Sequence, residues 1–266
     1  MRALIVAALA ALASSEASYG RNEPFFAVSM CSWEATDILI LAPTTSKATF
    51  RVLETIRGDQ QPGVLLVLAE LAPPDDIAAF REQRERTQSS PEPPPAMQPG
   101  ERMIVCLLRA GAQHEFFSPP VSPITDDWQP ADASGDMRFS AVWLRNGDLL
   151  AFSQIGIEEA GLHDLLVTEQ EFRHQIVVGI QLRASLDRAL EFPADSVARA
   201  VQLAELVRAG DVIASLSALK HLAASGSAAG VILRELLADP KLLPLQSEIE
   251  RALKNNDYRN AGQVLF

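Results

Sequence analysis

The sequence predicts an α+β protein in which a small antiparallel β-domain is followed by an all-α region. Three observations support this prediction. Apolar residues alternate along short segments of the first half, and from Glu169 onward they recur about every 3.6 residues. Asn146-Gly147 lies between two apolar runs, which is typical of a β-hairpin with a two-residue turn. Glycine, proline and capping residues divide the second half into segments of helical length.

The first residues have the order of features of a secretory signal peptide. Arg2 provides a positive charge, Ala3–Ala13 is an unbroken apolar run, and Ser15 and Ala17 occupy the positions that a signal peptidase reads. The run is too short to cross a bilayer, and no later segment is long and apolar enough to do so. We therefore expect a signal peptide over residues 1–17, export to the periplasm or the extracellular space, and no membrane span in the mature chain.

The predicted β-domain occupies residues 25–165. Its strands are predicted by apolar, β-branched or alternating segments: Thr36–Leu41, Ala48–Thr55, Val64–Leu68, Arg102–Arg109 and the hairpin Phe139–Gln154. Two polar, proline-containing loops interrupt the domain, at residues 73–100 and 118–136. Trp128 lies in the second loop, where it either contacts a partner or folds back over the core.

The all-α region is predicted over residues 169–266. Its helical segments are Glu169–Phe192, Ser196–Ala209, Asp211–Ala224, Ala228–Ala238, Lys241–Lys254 and a tail around residues 260–265. Gly210 and Gly226 suit the left-handed position that follows a helix. Asp211 and Ser227 are predicted to cap the next helix through their side-chain oxygens. Short breaks of this kind predict antiparallel neighbouring helices.

The charge is distributed unevenly along the chain. Residues 18–168 contain 11 Lys and Arg against 21 Asp and Glu, a net charge of −10, whereas residues 169–266 contain 11 against 12, a net charge of −1. Neither half offers the basic face that binds a phosphate backbone or an anionic membrane. We expect neither nucleic acid nor a membrane surface as a partner.

The two cysteines, Cys31 and Cys106, allow two interpretations. An exported protein works where disulfides persist, so these residues could form one bridge. Cys106 also lies in the apolar run Met103–Leu108, where a cysteine can serve as a small buried hydrophobic residue. Sequence spacing does not decide between the two, because a bridge requires Cα atoms within about 7 Å.

No catalytic motif is found in the sequence. The four histidines lack partners at metal-ligand spacing, and there is no HExxH, CxxC or GxSxG motif and no glycine-rich phosphate loop; the histidines are His114, His163, His174 and His221. We therefore expect a protein without catalytic residues, metal or cofactor.

One segment of the second half resembles a HEAT-type repeat. Ala218–Leu243 reads as a helix that ends in small residues, a tight turn, a second helix and an Asp-Pro turn. HEAT-like arrays are interaction scaffolds, so the resemblance implies a HEAT-like helical-repeat domain with a protein-binding surface.

The first half resembles the netrin-like module, a β-barrel shared with tissue inhibitors of metalloproteases. The matching segments are Cys31–Leu41, Phe50–Gly58 and Gly100–Leu108. The resemblance implies a small closed barrel of the netrin or oligonucleotide-binding type. The inhibitory mechanism of that family uses an N-terminal cysteine and is not implied, since Cys31 lies inside the predicted mature chain.

The expected function is binding of another exported protein without catalysis. The expected contacts are a concave face of the helical repeats and the loop that carries Trp128. Two alternatives remain open: a peptidase inhibitor that acts through the β-domain, and a hydrolase whose site is assembled from residues distant in sequence.

Overall fold

The computed structural model describes residues 28–68, 97–109, 128–130, 141–155, 159–165 and 167–264. The described strands are β1 (Asp37–Pro43), β2 (Thr49–Arg57), β3 (Leu65–Val67), β4 (Arg102–Arg109), β5 (Trp128–Pro130), β6 (Ala141–Arg145), β7 (Asp148–Ile155) and β8 (Glu159–Asp164). The described helices are α1 (Val28–Glu34), α2 (Glu169–Leu190), α3 (Val197–Arg208), α4 (Val212–Ala223), α5 (Ser227–Leu237), a 3-10 helix (Pro240–Leu245) and α6 (Gln246–Val264). The predicted signal peptide lies outside the described residues.

The chain divides into two compact units, and the boundary lies between Ile176 and Val177, inside α2. We call the described residues up to Ile176 the β-unit and the described residues from Val177 onward the helical unit. The α+β prediction is confirmed at this level: the short helix α1 and an antiparallel sheet occupy the first half of the chain, and a helical region follows them.

The β-unit contains one open antiparallel sheet. The order of its strands is β3-β2-β1-β4-β6-β7-β8, and the short β5 pairs with β4 beside this path. Six of the strands have five to nine residues, while β3 and β5 have three each. The predicted closed barrel is wrong, because closure requires pairing between the first and last strands, and β3 and β8 stand at opposite ends of the order.

The predicted hairpin is confirmed. Arg145 of β6 pairs with Asp148 of β7 across the turn. Asn146 and Gly147 both have positive φ, 54° and 96°, as a type I′ turn requires.

Both faces of the central sheet are buried. Side chains on one face form a cluster of buried residues, which contains Leu39, Leu41, Phe50, Val52, Leu66, Leu68, Met103, Val105, Leu107, Ala141 and Trp143. Ile38, Ile40 and Ile104, at the intervening positions, are also buried. Burial on both faces explains why β1 and β4 read as continuous apolar runs rather than as alternating ones.

The first turns of α2 are fixed to the sheet. Thr168 and Glu171 form a capping box: the Thr168 amide donates to the Glu171 carboxylate at 3.0 Å, and the Glu171 amide donates to Thr168 Oγ1 at 3.2 Å. Glu169 accepts a hydrogen bond from Arg102 of β4 at 3.0 Å, and Arg173 donates to Glu54 of β2 at 2.8 Å.

In the helical unit, the predicted cap Asp211 is confirmed, because its side chain accepts a hydrogen bond from the amide of Ala214 at 2.8 Å. Ser196, which was predicted as the first residue of a helix, caps α3 in the same way by accepting from the amide of Arg199. Gly210 has a φ of +81°, as predicted. The predictions at the next break are wrong, because Gly226 has a φ of −70° and is itself the N-cap of α5, with no side-chain capping bond.

The last two predicted helices have different boundaries in the structure. The segment predicted as Lys241–Lys254 begins as the 3-10 helix, with Pro240 in its first turn, and continues as α6. The predicted tail is part of α6, which is continuous to Val264. Among the described residues, no helix combines the length and the apolar character that a bilayer-spanning segment needs.

Candidate functional site

Charged side chains gather at one end of the sheet. Asp37 is the first residue of β1, Arg109 is the last of β4, and Asp59 follows the end of β2. Because β1 is antiparallel to both neighbours, its start lies beside their ends. We name Thr36, Asp37, Gly58, Asp59 and Arg109 the Asp37 cluster.

Arg109 joins the two carboxylates of the cluster. Its Nε donates to Asp37 Oδ2 at 3.2 Å, and its Nη2 donates to Asp59 Oδ1 at 2.6 Å. Thr36 completes the arrangement: its hydroxyl donates to Asp37 Oδ2 at 2.8 Å and accepts from the backbone amide of Arg109 at 2.9 Å. The cluster therefore links the ends of three strands through side chains as well as through the β-ladder.

Asp37 and Gly58 are packed against each other. The Asp37 side chain is fully buried, and its Oδ1 has no hydrogen-bond partner among the described residues. Gly58 has a φ of +103°, and a Cβ at this position would collide with Oδ1 and would lie 2.9 Å from Cγ of Asp37. Glycine is therefore required here both by the backbone angle and by the neighbouring carboxylate.

The exposed part of the cluster is an ion pair with shifted proton affinities. The hydrogen bond and the charge of Arg109 lower the pKa of Asp59. The hydrogen bond to Asp59, followed by that to Asp37, raises the pKa of Arg109. Asp59 therefore stays ionised, and Arg109 protonated, across the physiological pH range.

The geometry of the cluster fits a structural role better than acid–base chemistry. A general base needs a lone pair that can reach a substrate proton. The Asp37 side chain is buried and packs against Gly58, and the carboxylate of Asp59 accepts a hydrogen bond from Arg109. Within the described ranges, no group of three or more His, Cys, Asp or Glu side chains is placed to hold a metal ion.

Glu101 is a second buried carboxylate that is held by an arginine. Glu101 has 7% of its side chain exposed and accepts hydrogen bonds from Nε and Nη2 of Arg145. It also accepts from the backbone amide of Gln98 at 2.9 Å. This carboxylate holds the turn before β4 against the end of β6.

The structure places Trp128 beside the Asp37 cluster in the sheet. It was predicted in a loop, but its backbone begins β5 and pairs with Arg109. Only its backbone is among the described features, so its role as a partner contact stays a prediction. Asp37 and Arg109 were not predicted as a site. The available signal in the sequence was a charged residue at one end of each of two long apolar runs, Asp37 before the first and Arg109 after the second.

The predicted cysteine bridge is not tested by the structure. Cys106 is buried in β4, where it pairs in register with Ile38. Cys31 lies in α1, and its side chain is outside the described features. The bridge therefore stays a prediction, as does the alternative of two unbridged thiols.

The histidines do not form a site in the described part of the chain. His174 is exposed on α2, and His221 is half-buried in the last turn of α4. His163 lies in β8, where its backbone pairs with Ala151. His114 is outside the described residues.

The chain was compared with known proteins in three ways. No family model matches it, and no curated protein or solved structure is significantly similar to it. The resemblances to a netrin-like module and to a HEAT-type repeat therefore rest on the sequence segments given above.

Proposed function

We propose that this chain is an exported, non-catalytic protein that binds another protein through its helical unit. The order of packing in that unit supports a HEAT-like arrangement. Helix α3 packs against α4, and α5 against α6, as two helical hairpins. The contacts of α3 with α5 and of α4 with α6 stack one hairpin on the other, which is how helical repeats build an extended surface.

The exposed apolar residues of α3 carry the proposal. Val197 and Val201 lie one turn apart on the same side of the helix, with 64% and 42% of their surface exposed. At 3.6 residues per turn, the buried residues Ala200, Leu203 and Val207 lie roughly 100° around the helix from these two valines. The apolar arc of α3 is therefore wider than the stripe that packs in the unit, and the two valines lie on its exposed margin.

A second contact surface lies along α6. Tyr258 is 68% exposed, and the ammonium group of Lys254 lies 5.9 Å from the centre of its ring. The surface beside them forms a depression of about 470 Å³, lined by Glu250, Leu253, Lys254, Asp257, Tyr258 and Ala261. Its volume is within the range of protein clefts that bind small ligands, so it has room for side chains of a partner.

The part of the proposal that concerns export rests on the apolar run Ala3–Ala13 and the small residues that follow it. Cell fractionation with an antibody against the chain tests it directly. We expect a processed form, shortened by about 17 residues, in the exported fraction. An unprocessed form confined to the cytoplasm would contradict export.

The partner is tested by cross-linking the full chain in cells and identifying the cross-linked proteins by mass spectrometry. The double variant V197E/V201E introduces charge on the exposed side of α3, and we expect it to lose the partner that the wild type captures. Gln202→Glu is the control, because it adds a negative charge at a neighbouring exposed position without replacing an apolar residue. Recovery of the same partner by wild type and V197E/V201E would exclude this surface as the binding site.

A further inference from the structure

Among the described strands, β3 has a partner on one edge only. It stands at the end of the strand order and pairs with β2. The Val52 amide donates to the Val64 carbonyl, and the Leu68 amide donates to the Ala48 carbonyl, both at 2.9 Å. Positions 64, 66 and 68 therefore turn their backbone groups toward β2. Because these groups alternate along a strand, the N–H and C=O groups of residues 65 and 67 point away from the sheet.

The side chains at this edge are apolar and exposed. Leu65 and Val67 have 56% and 61% of their surface exposed, whereas Leu66 between them is buried in the core cluster. Natural sheets usually protect such an edge with a lysine, a proline or a bulge within the strand. β3 has none of these, and residues 60–69 carry no charge.

We propose that β3 pairs with β3 of a second copy of this chain, antiparallel and across a two-fold axis through Leu66. In this arrangement Leu65 lies opposite Val67 of the partner subunit, and Val67 lies opposite the partner subunit's Leu65. Each outward N–H meets an outward C=O, and apolar side chains meet on the same face of the joined sheet. The proposal is independent of the binding surface on the helical unit.

Charge favours a second copy over a charged partner. A strongly basic or acidic peptide would find no opposite charge on β3, whereas an uncharged strand is complementary to itself. A charged residue close to the edge is Arg51, which pairs with Leu65 from β2. In the proposed dimer the two Arg51 residues are three strand spacings apart, roughly 14 Å. That distance exceeds the Debye length of about 8 Å at physiological salt, so their repulsion is largely screened.

Sedimentation velocity of the full chain tests the proposal. A short edge contact predicts a weak dimer with a dissociation constant on the order of 10–100 μM. Val67→Pro removes an outward N–H that β2 does not use, and an edge strand tolerates proline at such a position. We expect V67P and V67K each to weaken the dimer at least tenfold. Val231→Lys is the matched control, since this valine is 57% exposed on α5, and we expect it to dimerise like the wild type.

Amide hydrogen exchange identifies the edge directly. On raising the protein concentration through the dimerisation range, the amides of Leu65 and Val67 should become protected, while that of Leu66, which already faces β2, should change less. The proposal is overturned if the wild type remains monomeric at about 500 μM. It is also overturned if V67P and V67K dimerise like the wild type while their thermal unfolding is unchanged. A third contradicting result is that V231K weakens the dimer as much as V67K does.

Discussion

At the scale of single residues, Asp37 is a buried carboxylate that is compensated through one of its two oxygens. Removing an ionised carboxylate from water is costly unless it is paired and hydrogen-bonded. Arg109 and Thr36 satisfy Oδ2 of Asp37. The close approach of Gly58 to Oδ1 places a backbone carbon, rather than a polar group, over the remaining oxygen. The turn after β2 is thus held by packing as well as by the Asp59–Arg109 ion pair.

This packing predicts that Gly58→Ala is strongly destabilising. The substitution forces a positive φ on a residue with a Cβ and drives that Cβ into Asp37. Gly63→Ala is the control, because Gly63 also has a positive φ, +93°, but has no heavy atom within 4 Å of the added Cβ. By urea unfolding we expect a loss of about 1 kcal/mol for G63A and about 3 kcal/mol or more for G58A. Equal losses of unfolding free energy in the two variants would mean that the Asp37 side chain moves away from the added Cβ without cost.

The Asp59–Arg109 pair predicts a pH effect. Arg109 lowers the pKa of Asp59 below its ordinary value of 3.8, so Arg109→Gln should raise that pKa toward the ordinary value. A carboxylate with a depressed native pKa stabilises the fold above its unfolded pKa, and this contribution is lost as the pH falls through the native pKa. Carboxyl-carbon NMR titration measures the shift. Arg51→Gln, on the exposed side of β2, should leave the pKa of Asp59 unchanged, and an unchanged pKa in R109Q would disprove the coupling.

At the scale of elements, the sequence predicts those features that depend on residues close to one another in the chain. The Asn146-Gly147 turn and the Asp211 cap were predicted correctly, because each depends on its own backbone angles or on an amide three residues away. Strand β8 was missed, since its sequence EAGLHD has low β-propensity and it is a strand through its pairing with β7. Helix α1 has seven residues, too few to show a helical period.

The end of α4 depends on a residue far away in sequence. Asn256 of α6 is fully buried, and its Nδ2 donates to the carbonyls of Leu222 and Ser225 at 3.2 and 2.8 Å. These carbonyls lie at the end of α4 and just beyond it, where helices leave acceptors without intrahelical donors. The sequence could not indicate this contact, because Asn256 follows Ser225 by 31 positions.

We therefore expect Asn256→Asp to destabilise the helical unit at neutral pH. The substitution replaces a donor with a buried negative charge that faces carbonyl oxygens, and the expected loss in unfolding free energy is about 3 kcal/mol or more. Protonation of the new carboxyl restores a donor, so part of the loss should be recovered near pH 4. Asn255→Asp, one residue earlier and exposed, is the control and should unfold like the wild type. Chemical denaturation of both variants and the wild type at the two pH values tests this prediction. If N256D is as stable as the wild type, the hydrogen bonds of Asn256 are dispensable.

At the scale of the whole molecule, the order of sheet and helices was predicted, but the closure of the sheet was not. Individual strands such as Arg102–Arg109 were found from their apolar runs with correct bounds. Whether β3 meets β8 depends on twist and on the number of strands between them, which no local pattern encodes. The difference matters for function, because an open sheet has edges and a closed barrel has none.

The open edge and the acidic composition together predict how salt affects self-association. Each copy carries a formal net charge of −11, so two copies repel at long range, while residues 60–69 at the proposed contact are uncharged. Raising the salt from about 50 mM to 500 mM screens the repulsion without weakening the contact, and we expect the dimer to tighten severalfold by sedimentation. A dimer held by ion pairs would weaken instead, and that result would place the interface elsewhere. V67K should remain at least tenfold weaker than the wild type at both salt concentrations, because screening the net charge does not remove a lysine from the middle of the joined sheet.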